Sequence, residues 1–144
     1  MKNIEEEPKE YFERNIFLVV IVAVSGFFLD WLSITLLLDV NPWGTATAIP
    51  GLMLTLQGIW LIVNPFAIVY QDRFEIKQSL LYNKEFYYLD AKSIDDKKTQ
   101  SVQLIYNDGD LENLHLLGMR AAHKQLFNDR LKEKIAESVK HRDF

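Results

Sequence analysis

Between Ile16 and Tyr70 the only charged side chains are Asp30 and Asp39, and two long apolar runs, Ile16–Leu38 and Ala46–Tyr70, flank a turn without Lys or Arg. A bilayer's hydrocarbon core is roughly 30 Å thick and a helix rises about 1.5 Å per residue, so each run is long enough to cross it. The pattern predicts a transmembrane helical hairpin over residues 16–70. Residues 1–15 form a polar lead-in and residues 71–144 a small α+β domain, with a four-stranded antiparallel sheet and one C-terminal helix.

The overall figure of 49% hydrophobic residues would suit a water-soluble chain, but it averages two unlike halves. Every Lys and Arg except Lys2, Lys9 and Arg14 lies beyond residue 70. Such asymmetry points to two solvents, lipid first and water second. A net charge of −4 gives no basic footprint for nucleic acid. The absence of cysteine excludes disulfides, thiolate zinc sites and thiol catalysis.

A cleaved signal peptide is the rival reading of the first run, because Ala46-Thr47-Ala48 has the small residues of a cleavage site. The run is too long for that and the triplet lies too far beyond it. The leader also carries Glu5, Glu6, Glu7, Glu10 and Glu13 where a signal peptide is basic. Orientation follows from Lys and Arg near the helix ends. Lys2, Lys9 and Arg14 precede the first run, and Arg73, Lys77 and Lys84 follow the second. Both termini are therefore expected in the cytoplasm.

After Arg73 the periodicity changes. Phe74, Ile76, Leu80 and Tyr82 share one parity and predict a strand ending at an Asn83-Lys84 turn. Glu85–Ile94, Ser101–Tyr106 and Leu111–Leu117 supply three more strands, with Asp95–Thr99 as a polar loop and Asn107-Asp108-Gly109-Asp110 as a hairpin signal. Met119–Lys140 reads as a helix with an apolar stripe through Ala122, Leu126, Leu131, Ile135 and Val139, broadened by Phe127.

Asp30 is the sharpest single signal. An ionisable group inside a span costs at least about 2.5 to 3.5 kcal/mol, so it faces protein or water rather than lipid. Ala23, Gly26, Asp30 and Ser33 share a helical face, and Gly51, Thr55 and Gly58 form a matching seam on the second helix. Antiparallel packing brings Asp30 level with Thr55 and Gln57, its candidate partners. One reading is an ion path through Asp30, Gln57 and Asn64 in an oligomeric transporter or channel subunit. The other is a hairpin glued by a hydrogen-bonded Asp30, and a lone acid without a second charge favours the glue. Pro50 and Pro65 read as bends in the second helix.

Asp108, Asp110 and Glu112 lack the ligand spacing of a calcium loop, and His115, His123 and His141 stand at unrelated offsets. The glycines of the C-terminal half, Gly109 and Gly118, make no phosphate loop. Asp90, Asp95, Asp96 and Asp108 lie where turns place carboxylates. Tyr82, Tyr87, Tyr88 and Tyr106 are candidates for the lining of a ligand cleft, but strand propensity favours reading them as core aromatics of short strands. No catalytic residue, metal, cofactor or small-molecule substrate is assigned.

Asn64-Pro65-Phe66, Gln71-Asp72-Arg73-Phe74-Glu75-Ile76, Tyr88-Leu89-Asp90-Ala91-Lys92-Ser93-Ile94 and Asn107-Asp108-Gly109 follow one another in an order that resembles small bacterial membrane proteins with a pleckstrin-homology-like (PH-like) domain. The resemblance covers about residues 46–140 in architecture. It implies a non-enzymatic binding or assembly module in the bacterial inner membrane. A full fold of that kind has seven strands and a helix, so the four strands counted imply a barrel left incomplete or completed by another copy. No basic cluster matches a phosphoinositide-binding loop, and no binding residue is carried over. The open edges of a four-stranded sheet invite pairing, so the expected partners are the bilayer and either a second copy or another membrane protein.

Overall fold

A computed structural model describes residues 9–98 and 100–142. Two helices, α1 (Ile16–Leu38) and α2 (Trp43–Val63), form an antiparallel hairpin. Asn15 caps α1 by accepting a hydrogen bond from the Phe17 amide at 3.1 Å, and the chain turns through Val40, at φ 56°, before Asn41 accepts from the Trp43 amide at 3.0 Å. Both helices are long and apolar enough to cross a membrane. Only 17% and 11% of their most apolar stretches are buried in the molecule, so neither is the core helix of the folded domain.

The other described residues build seven strands and a helix: β1 (Glu10–Phe12), β2 (Ala67–Val69), β3 (Arg73–Ser79), β4 (Tyr82–Tyr87), β5 (Ala91–Lys98), β6 (Ser101–Tyr106), β7 (Leu111–His115) and α3 (Ala121–Arg142). They form a four-stranded sheet, β1-β2-β3-β4, and a three-stranded sheet, β5-β6-β7, with every pairing antiparallel. The expected single four-stranded sheet is thus corrected to two sheets. Completion by a second copy is no longer needed to reach seven strands.

Three departures account for the difference. β1 lies in the stretch read as a polar lead-in, and β2 in the stretch read as the end of the second helix, because α2 stops at Val63 and Asn64-Pro65 cannot continue it. Each strand is three residues long and finds its partner across the whole hairpin, with Tyr11 opposite Ile68 and Phe12 opposite Ala67. The stretch Glu85–Ile94 is broken at Tyr88–Asp90, where the chain leaves one sheet for the other. β5 then runs on through the polar residues to Lys98, instead of yielding to a loop at Asp95; Thr99 lies outside the described residues.

The sheets share one core. Phe12, Phe66, Phe74, Ile76, Phe86 and Tyr88 from one side meet Val102, Leu104, Leu114, Leu116 and Met119 from the other. α3 closes it with Phe127, Leu131 and Ile135; Phe127 packs edge-on against Phe12 at 5.0 Å and Phe74 at 6.1 Å. Its stripe begins at Phe127, since Leu126 is 51% exposed. One edge is sealed where Arg14 bridges to Met119, the Asn15 amide donates to the Gly118 carbonyl at 2.8 Å and the Arg120 amide to the Glu13 carbonyl at 2.9 Å. The hairpin is therefore an insertion between two neighbouring strands, and both its ends leave from the same side of the folded domain.

Candidate functional site

Glycines recur every seventh residue along α2, at Gly44, Gly51 and Gly58, and all three are buried. They face Leu37, Asp30 and Ala23 of α1, which recur at the same interval in the opposite direction. A methyl group on Gly44, Gly51 or Gly58 would lie 2.7 Å from Leu37, 2.5 Å from Asp30 or 3.0 Å from Ala23. On α1, a Cβ at Gly26 would lie 2.6 Å from the Thr55 amide nitrogen. Small residues let helix backbones approach where lipid offers no hydrophobic drive for association. The seven-residue period keeps that close contact on one face of each helix.

Polar groups in this seam are consumed within it. The Thr55 hydroxyl donates to Asp30 Oδ2 at 2.6 Å, and the buried Ser33 hydroxyl donates to the Gly44 carbonyl at 2.6 Å. Asp30 has no ion-pair partner among the described residues. The structure thus brings together Asp30, Ser33, Gly26, Thr55 and Gly58, but not Gln57. Gln57 turns away from the seam and accepts a hydrogen bond from the Leu80 amide at 2.9 Å, at the turn between β3 and β4. Asn64 is engaged at a third place: its side-chain amide donates to the Trp60 carbonyl at 3.0 Å.

At the hairpin's open end stands Arg14, which spacing and charge patterning left as a mere orientation signal. Its Nε donates to the Asn64 carbonyl at 2.9 Å and another guanidinium nitrogen donates to the Lys77 carbonyl. The same group lies over the Trp60 ring at 4.9 Å and near the Phe66 ring at 5.8 Å. One side chain therefore ties the start of α1, the end of α2 and β3. Burial pushes its pKa down to about 10, which leaves it charged at neutral pH. No carboxylate pairs with it among the described residues.

Beside Arg14 a cavity of about 360 Å³ opens between the hairpin and the sheets, with Val19, Leu61, Phe66 and Leu117 as apolar walls and Gln57 and Gln78 as polar ones. A second polar knot bridges the two sheets. Lys84 of β4 donates to Glu112 Oε1, and the Tyr106 hydroxyl donates to Glu112 Oε2 at 2.8 Å. Burial works against the Glu112 carboxylate, yet the bonds from Lys84 and Tyr106 outweigh it and its pKa is lowered. Burial, then the Glu112 contact, pushes the Tyr106 hydroxyl up.

The scattered carboxylates have local duties. Asp95 accepts from the Lys97 amide at 3.1 Å, Asp96 pairs with Lys132 at 2.6 Å, and Asp108 accepts from the Asp110 amide at 3.0 Å. Among the described residues no group of three or more His, Asp or Glu side chains could hold a metal ion. No protein-family model matches the chain, and no curated protein or solved structure matches it either.

Proposed function

We propose that this chain is a non-enzymatic integral membrane module, in which the α1–α2 hairpin anchors a PH-like domain at the cytoplasmic face of a bacterial inner membrane, where it engages lipid headgroups or a protein partner. The observation that carries this reading is the insertion of the hairpin between β1 and β2, reinforced by the Arg14 clasp on Asn64 and Lys77. An anchor joined by one flexible linker would leave its domain free to tumble. Here both ends of the anchor are strands of the domain, so the domain is held in a defined posture over the surface. Seven strands in sheets of four and three, followed by a helix, support the PH-like assignment by count and order.

A transport role through Asp30 is less well supported. Asp30, Gln57 and Asn64 point at three different partners and do not converge on a common path. Flotation of native membranes tests the anchor, and recovery of the intact chain in the aqueous fraction would overturn it. Pull-down from mild detergent with wild type and Asp30→Asn tests the role. A binding module keeps its co-purifying partner in the variant, whereas a transport subunit loses ion or proton flux.

A further inference from the structure

The turn joining β3 to β4 consists of Leu80 and Leu81, residues that tight turns seldom use, because Gly, Asn and Asp supply the geometry more readily. The β6–β7 turn of the same domain is ordinary, with Asn107, Asp108 and Gly109 at φ 94°. Leu81 is 82% exposed and Leu80 39%, so neither serves the core. Their position is fixed by the bond from the Leu80 amide to Gln57, which precedes the end of α2 by well over a turn. At about 1.5 Å per residue, that places the tip roughly 9 Å below the end of the helix. Above it, Tyr82 is half exposed and Lys84, whose ammonium is paired with Glu112, lies 5.5 Å from the Tyr82 ring. An apolar tip under an aromatic and a cation is the vertical order of a membrane interface.

We propose that the β3–β4 turn is inserted into the acyl region of the leaflet beside α2, with Leu80 and Leu81 as a non-spanning lipid contact; this rests on the membrane reading above. Lipid is the occupant because the tip continues the exposed apolar surface of α2, where Leu56 and Ile59 are about half exposed, at a depth typical of interfacial insertion. A docked protein would have to enter the same layer. The insertion gives the domain a second foothold, beside α2 and outside the two spanning helices, which helps to fix its tilt.

The chain has no cysteine, so Leu81→Cys creates a single labelling site on a residue that does not pack in the core. The full-length variant, carrying a nitrobenzoxadiazole fluorophore, is reconstituted into vesicles of phosphatidylcholine and phosphatidylglycerol and compared with Asp108→Cys. Blue-shifted emission at position 81, loss of emission with acyl-chain nitroxide lipids and protection from aqueous iodide are expected, with water-like behaviour at 108. Iodide quenching at 81 equal to that at 108, or quenching only by headgroup-attached nitroxide, overturns the insertion. If the vesicles still float with the protein in that case, the anchor survives and only the inserted turn is lost. Protein that does not float at all overturns both.

Discussion

Arg14 holds two carbonyls and two aromatic rings with one planar group, a geometry that an ammonium cannot reproduce. Arg14→Lys should keep the charge, lose one of the carbonyl bonds and the stacking, and lower stability by about 1–2 kcal/mol. A depressed thermal midpoint in detergent, with unchanged membrane flotation, is the expected result. Glu112 offers a pH-dependent counterpart. Its pKa lies below the ordinary 4.5 in the folded state, so its stabilisation is complete above that value and is lost as the pH falls through the lower folded one. Glu112→Gln should cost about 1 kcal/mol at neutral pH, a modest figure because the pair is partly exposed. Melting curves of variant and wild type should converge in acid; a gap that persists there would show that the carboxylate's charge is not what matters.

Between α1 and α2 the decisive quantity is the gap between backbones. Gly26→Ala should force the helices apart, since the new methyl meets the Thr55 backbone, and should cost about 1–3 kcal/mol of overpacking. Gly51→Ala meets Asp30 Oδ1 first, a side-chain atom that can swing, but the Asp30 amide nitrogen stands behind it at 3.0 Å. Titration of unfolding in a harsh detergent should rank Gly26→Ala as the more damaging of the two. The hairpin was legible in the sequence because its composition alone declares it, and the Asp30–Thr55 contact followed from helix spacing. The expected seam of Gly51, Thr55 and Gly58 held two members of the seven-residue glycine period, while Gly44 fell between the two apolar runs, outside the predicted helix. β1 and β2 were not legible: a three-residue strand has no period to detect, and their mutual partner lies a whole hairpin away. The Leu80-Leu81 turn was misplaced for a related reason, since turn chemistry pointed to Asn83-Lys84, while the observed turn bonds to Gln57, remote in sequence on α2.

Taken as one object, the chain is a small two-sheet domain with a hairpin spliced into it. Phe12, the last residue of β1, is 2% exposed, and removing a buried Phe side chain costs about 3–5 kcal/mol, comparable to a small domain's entire stability. A chain beginning at residue 65 should therefore fail to fold. Replacing residues 15–64 with a short Gly/Ser bridge should instead give a soluble domain, because the Phe66 amide already lies 2.8 Å from the Phe12 carbonyl. A cooperative melt for the bridged chain, and none for the truncated one, is the expected pair of outcomes. The same splice has a consequence during biosynthesis. β1 emerges from the ribosome before the hairpin and must wait for β2, and a chain that inserted only one of its helices would strand the two in different compartments. On the proposed membrane reading, the pairing of Phe12 with Ala67 would therefore form only once both helices have crossed.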